Sequence, residues 1–288
     1  MCDSDNHQGY IADTSVTRRT VVLTMSSAAA LAGLPTAALA ADVTETDVMV
    51  PTPDGSADAA LFHPAGSGSW PAVLMWPDIL GLRPVFREMG RRLSGAGYTV
   101  LIPNPFYRTK RAPIVTGAFD FNDPKQRDSV MSLRSTLTDA GIDKDAAAFI
   151  TFLDQQKQTD RRKGAGVQGY CFSGPFAFHT AAVRSDRIRA VGSFHGGGLV
   201  TNDANSPHLL IPKTKASFVV AIARNDDQKQ PDAKDILKTT FAAAKRPAIV
   251  EVYPADHGWC VPGSQTFDQP SAERAWGELL RLYHTNLV

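Results

Sequence analysis

Short apolar runs alternate with helical patterns along most of this chain, and no other feature restricts its fold as strongly. Residues 71–77 are apolar without a break, as a strand covered on both faces must be. After the loop Asp78-Ile79-Leu80-Gly81-Leu82, a helix is expected from Pro84, with Val85, Met89 and Leu93 four apart and a stop at Gly95-Ala96-Gly97. Residues 98–103 form the next run. Strand, helix and strand in that order imply a parallel sheet with right-handed crossovers. Further strands are read at 188–194, 216–222 and 248–253. The segments 47–50 and 59–62 flank the turn sequence Thr52-Pro53-Asp54-Gly55, so the chain opens on an antiparallel hairpin. Residues 104–127, rich in Pro, Asn, Asp and basic residues, read as a long surface excursion. Helices are expected near 128–138, near 143–157 (apolar face Ala147, Ile150, Phe152, Leu153), near 231–244, and from about Ser271 and Glu273 to the end. The fold class is therefore α/β, a mostly parallel doubly wound sheet with an N-terminal antiparallel hairpin.

Midway lies Gly169-Tyr170-Cys171-Phe172-Ser173-Gly174. A short apolar run (Gly166, Val167) enters it and a helical pattern (Pro175, Phe176, Ala177, Phe178, Ala181, Ala182) leaves it. Small residues two positions either side of Cys171 let strand and helix pack around a sharp bend with one reactive side chain at the apex. Nucleophile elbows are built this way. A buried cysteine in an ordinary strand-to-helix turn is the commoner fate of the residue, so the six residues alone decide little.

With 288 residues, 43% hydrophobic and 20% charged, the chain can bury the core of one large α/β domain. A formal net charge of +1 and the lack of a long basic tract exclude a phosphate-backbone binder, so no nucleic-acid partner is expected. Cys2, Cys171 and Cys260 have neither metal-ligand nor disulfide-scaffold spacing, and no metal is expected. Residues 1–40 read as an export signal. Arg18 and Arg19 precede a mild apolar segment, and Ala38-Leu39-Ala40 is a small-x-small cleavage pattern before Ala41 and Asp42. The segment is too short and too weakly apolar to span a bilayer, so no stable membrane anchor is expected. The arginine pair favours the twin-arginine route, hence a periplasmic or secreted protein. Cleavage removes two basic and three acidic residues, giving (30−2)−(29−3) = +2 for residues 41–288, a single domain.

Three chemically capable groups follow predicted strands: Cys171, the neighbouring pair Asp226 and Asp227, and His257. In open parallel sheets the crevice beyond the carboxyl ends of the strands is where ligands bind. Nucleophile, acid and histidine, in that order, is the order of α/β-hydrolases. A thiol with an ordinary pKa near ~8.5 is mostly protonated at neutral pH, and a histidine raises its thiolate fraction. A carboxylate on the other ring nitrogen fixes the tautomer and stabilises the imidazolium. Either aspartate satisfies that role by position.

The sequence resembles the dienelactone hydrolase family, cysteine-dependent members of the α/β-hydrolase fold, over roughly residues 45–285. The motif that carries the resemblance is Gly169-Tyr170-Cys171-Phe172-Ser173-Gly174, with Ser173 where the family usually has glycine. The resemblance implies a catalytic set of Cys171, Asp226 and His257. The family acid stands in a Gly-x-x-Asp setting that falls on Ala223-Arg224-Asn225-Asp226, although the spacing of Asp227 to Pro231 also fits. The family histidine falls on His257 in Asp256-His257-Gly258. The resemblance further implies an oxyanion hole from the amides of Phe172 and Ile79. Asp78 stands for a family glutamate that holds the resting cysteine, and Arg108 for an arginine that anchors a substrate carboxylate. A second such arginine is replaced by Val261, and His195 replaces a family tyrosine at a strand end. His195 either lines the pocket or only hydrogen-bonds its loop.

The implied activity is hydrolysis of small carboxylic esters or lactones through an acyl-thioester, without metal or organic cofactor. The partner is the small-molecule substrate, and the protein is a monomer or small homo-oligomer. A different class of reading is a catalytically weak or inactive binding protein that kept the fold, for which the changes at Asp78 and Val261 speak. A thiol redox protein using Cys171 and Cys260 is disfavoured by the lack of a Cys-x-x-Cys motif. If Cys260, three residues after His257, came within reach of Cys171, a disulfide would lock the enzyme; the alternative is that Cys260 packs as a small apolar residue.

Overall fold

The computed structural model describes residues 42–288. The expected export signal at 1–40 lies outside the described residues. Eight strands form one sheet in the order β1-β2-β4-β3-β5-β6-β7-β8. The opening hairpin is β1 (Val43–Thr52) and β2 (Gly55–Pro64), joined through Pro53 and Asp54. Gly55 there takes φ 140°, a value that a side chain would strain. β2 pairs antiparallel with β4 (Thr99–Pro103); from β4 onward every neighbouring pair is parallel. The remaining strands are β3 (Ala72–Trp76), β5 (Ala165–Tyr170), β6 (Ile188–Phe194), β7 (Ser217–Ala223) and β8 (Ala248–Tyr253).

Helices cover both faces, which is why the inner strands are largely apolar. On one face α3 (Asp139–Gln155), α4 (Gly174–Val183) and α7 (Ala233–Ala243) pack on Leu74, Val167, Val191 and Val220. On the other, α1 (Pro84–Gly95) and α8 (Gln269–Asn286) pack on Val73, Met75, Val100 and Val219. The helices expected near 128–138 and 143–157 begin earlier. α2 (Pro124–Ser135) starts at a proline behind Asp123, whose carboxylate accepts from the amides of Lys125 and Gln126; α3 starts behind Thr138, which accepts from Gly141 N–H. Side-chain caps of this kind set a helix start independently of apolar periodicity. The buried face of α3 is correspondingly Ala146, Phe149, Ile150 and Leu153 rather than the one centred on Ala147 and Phe152. Short helices α5 (Pro207–Leu210) and α6 (Arg224–Lys229) were not expected.

The chain winds from β3 to β4 on one side and resumes at β5 on the other. The ends of β3 and β5 therefore flank the topological switch point, where open α/β sheets leave their crevice.

Candidate active site

β5 ends at Tyr170 and α4 begins at Gly174, with Cys171 at φ 58° on the single 3-10 turn between them. That left-handed value is unusual for a residue with a side chain and stores local strain. Gly169 makes the bend possible, since a Cβ there would lie 2.1 Å from the carbonyl oxygen of Ser173. Gly174 lets the start of α4 meet the end of β6, where an added Cβ would be 2.6 Å from Gly196 Cα. Ser173, the departure from the family motif, is fully buried and braces the elbow. Its hydroxyl accepts from Tyr170 N–H at 2.9 Å and lies 2.9 Å from Tyr170 O and 3.1 Å from Trp76 O. The serine thus joins the elbow to the end of β3. No periodicity or spacing marks it; only the change from glycine does.

His257 brings its Nε2 to 3.1 Å from Cys171 Sγ, and its Nδ1–H donates to Asp226 Oδ2 at 2.6 Å. Burial works against a charged imidazole, but the adjoining Cys171 sulfur and the Asp226 carboxylate outweigh it, holding His257 well above its ordinary 6.5. Asp227 points elsewhere and accepts from Lys234 Nζ at 2.7 Å. Two residues to which the sequence assigns no role grip the backbone of His257. Asn225 Oδ1 accepts its N–H at 2.8 Å, and Thr266 Oγ1 donates to its carbonyl at 2.7 Å. Asn225 is adjacent to Asp226, so one turn of α6 supplies both the imidazole's partner and an anchor for its peptide.

Ile79 and Phe172 are gathered with Cys171 in one buried cluster above the ends of β3 and β5. The loop bearing Ile79 is held by Asp78, whose two carboxylate oxygens take Arg83 Nη1 at 2.5 Å and Nη2 at 2.8 Å while Oδ1 also accepts Leu80 N–H. Asp78 is thus the keystone of its own loop, with Arg83 as its partner. Arg108 is not gathered with these groups. Its guanidinium binds Asp145 through both terminal nitrogens (2.7 and 2.8 Å) and Asp54 (2.7 Å), beside a separate hollow that Thr138 and Lys144 also line. Desolvation opposes its charge, and the two carboxylates more than offset that, raising its pKa.

His195 follows β6 at φ 40°, with its N–H on Ala221 O at 2.8 Å. Its ring meets His257 edge-on at 5.1 Å between centroids and Trp259 at 5.8 Å, so it backs the imidazole. Cys171 and Cys260 are both free thiols. Cys260 packs in the cluster on the α1/α8 face with Tyr170 and Ala272, where burial pushes its thiol far up.

The cluster around Cys171 is closed from above by the excursion. Phe106, Ile114, Phe119 and Phe121, with Val130 of α2, pack over Ile79, Cys171 and Phe172, and Phe106 stacks on Phe172 (5.8 Å, 7°). Buried Asn104 fixes the root of the segment, accepting Phe106 N–H and donating to Lys110 O and Asp58. A hollow of about 500 Å³ is lined by His257 and Asp226 together with Gly196, Gly197, Gly198 and Leu237, among others. A thiol, an imidazole and a carboxylate so connected can form a thiolate, pass one proton, and serve nucleophilic acyl transfer.

Comparison with known proteins shows the family and the fold. The dienelactone hydrolase family model matches residues 57–287. Carboxymethylenebutenolidase 1 of Cupriavidus pinatubonensis is 28% identical over 215 residues, covering 74% of this chain and 86% of its own. Carboxymethylenebutenolidase of Rhodococcus opacus is 28% identical over 188 residues, covering 65% and 69%. Among solved structures, a dienelactone hydrolase-like promiscuous phosphotriesterase from metagenomic libraries superposes with a TM-score of 0.69 at 20% identity, over 85% of this chain and 99% of that one. It shows the same fold.

Proposed function

The chain belongs to the dienelactone hydrolase family, an ester and lactone hydrolase by that membership, and from this premise we propose that Cys171, His257 and Asp226 perform its chemistry. The observation that carries the reading is the unbroken connection from Sγ through the imidazole to the Asp226 carboxylate, at 3.1 and 2.6 Å.

In this mechanism His257 takes the thiol proton and the thiolate of Cys171 attacks the acyl carbon. The carbonyl π electrons move to oxygen, and the amides of Phe172 and Ile79 stabilise the oxyanion. Collapse breaks the bond to the alkoxy oxygen, which leaves with the proton from imidazolium. Water, deprotonated by His257, then attacks the thioester, and the acid departs as the thiol is restored. Asp226 keeps Nδ1 protonated and stabilises the imidazolium throughout. Asp78 organises the oxyanion loop through Arg83, and His195 supports the imidazole. No step calls for a cofactor.

The experiment is a stopped-flow burst with an activated aryl ester. Wild-type protein should release one equivalent of phenol rapidly, and Cys171→Ala should show no burst while staying folded. Turnover undiminished in Cys171→Ala would exclude the mechanism. The substrate is a small-molecule ester or lactone, and the chain acts as a monomer or small homo-oligomer. Among the described residues, no helix is long and apolar enough to cross a membrane. We further propose export through the twin-arginine route on the strength of Arg18, Arg19 and the Ala38-Leu39-Ala40 site. Protein recovered from the periplasm should begin at Ala41, and retention of the full chain in the cytoplasm would refute export.

A further inference from the structure

Cys171 is only 1% exposed, and its neighbours above the sheet are apolar: Phe119, Phe121, Ile114 and Phe106 from the excursion, Phe172 from the elbow. An acyl group bonded to Sγ must take its place among these side chains. Three of the cations near the site residues are already matched, Arg224 by Asp256. Arg83 lies fork to fork on Asp78, and Arg108 is shared by Asp145 and Asp54. A substrate carboxylate entering this envelope would have to leave water or break one of those pairs, and an unpaired buried charge is costly.

We propose, given the hydrolase reading above, that the acyl half of the substrate is neutral and apolar, of aryl or alkyl type, and is recognised by Phe119, Phe121 and Ile114 rather than by a charge. Recognition is then by area removed from water, which is non-directional and tolerates variation in acyl shape. Access follows from the same packing: the acyl group displaces side chains of the excursion from the thiol and replaces their contacts with its own. Lys110 Nζ donates to Ile114 O at 2.8 Å and Lys229 lines the hollow beside His257, and both are exposed to water rather than enclosed with the thiol. Arg134, half-buried on α2 one turn after Val130, keeps Nε buried without a hydrogen-bond partner. Its methylenes extend the apolar wall in this proposal, as long basic side chains commonly do.

The test compares two p-nitrophenyl esters of matched chain length, the neutral valerate and the carboxylate-bearing hemiglutarate, with Cys171→Ala turnover subtracted from each. The neutral ester should have the higher kcat/KM by roughly 100-fold or more, the usual scale for leaving a buried charge unpaired. Phe119→Arg should narrow that ratio, and Arg134→Met should leave it within about threefold. Equal or greater kcat/KM for the hemiglutarate overturns the proposal, and loss of that preference in Arg134→Met would then place the anion on Arg134. The ratio in the unaltered enzyme decides without either variant. Absence of Cys171-dependent turnover with both esters and with an activated acetate sinks the hydrolase mechanism itself, and this inference with it.

Discussion

The choice between Asp226 and Asp227 turns on a helix that the sequence hides. Both aspartates follow β7, and as loop residues either could reach an imidazole. In α6 consecutive side chains diverge by about 100°, so one faces His257 and the other Lys234. α6 has no buried residue, so no apolar period announced it. Cys171 and His257 were legible because each is a rare, reactive type placed at a strand end. Asn225 and Thr266 were not, since they act on the backbone of His257 and carry no signature of chemistry. Asp226→Asn should lower kcat by about 10²–10⁴-fold, whereas Asp227→Asn should stay within a few-fold, because its half-buried pair with Lys234 touches no reacting group. The pH response separates orientation from charge. With its folded value above 6.5, protonated His257 stabilises the native state fully below that pH, and the contribution is lost as pH rises through the raised value. Asp226→Asn should therefore pull the alkaline fall of thermal stability to lower pH. An unmoved profile, with kcat intact, would remove Asp226 from the catalytic set.

At the scale of elements, the sequence was most readable where burial on both faces leaves no choice of residue. The apolar runs predicted as strands 98–103 and 188–194 coincide with β4 and β6 within a residue. The helix starts differ from the apolar pattern where a cap outweighs it, at Asp123 and Thr138. The elbow was legible through its small residues, and the structure supplies the reason: the Gly169 Cβ position is occupied by backbone of the same turn, which no side-chain adjustment can clear. Ser173 shows what the motif leaves out. Glycine at that position would leave the end of β3 unbraced, whereas the serine hydroxyl reaches Trp76 O and links the nucleophile's turn to the strand that leads into Ile79. In the sequence the excursion shows only the marks of a surface segment. Its aromatic residues are too irregularly spaced to suggest that Phe119 and Phe121 turn inward over the thiol, a placement that depends on Asn104 and Asp58 fixing the segment's root.

For the whole molecule, the sheet is a partition, and the fate of Cys260 follows from it. Cys260 lies only three positions after His257, yet the two side chains settle in different surroundings. His257 reaches the thiol on the crevice side, and Cys260 settles against α1 and α8 beside Met75, Met89 and Tyr170. Sequence distance alone could not distinguish this from a cysteine beside Cys171. The adjoining hollow holds about 70 Å³, room for little more than the thiol's own neighbours to relax. Burial also keeps Cys260 protonated and hence a poor nucleophile for disulfide exchange. Cys260→Ala should therefore keep kcat/KM within about twofold and lose roughly 1 kcal/mol of stability, the scale of one small buried group. Treatment of native protein with a mild thiol oxidant should inactivate it through Cys171 alone, to the same extent in Cys260→Ala as in wild type. Non-reducing peptide mapping that found a Cys171–Cys260 disulfide in the folded protein, or oxidation resistance conferred by Cys260→Ala, would show that the two thiols meet and that the partition fails.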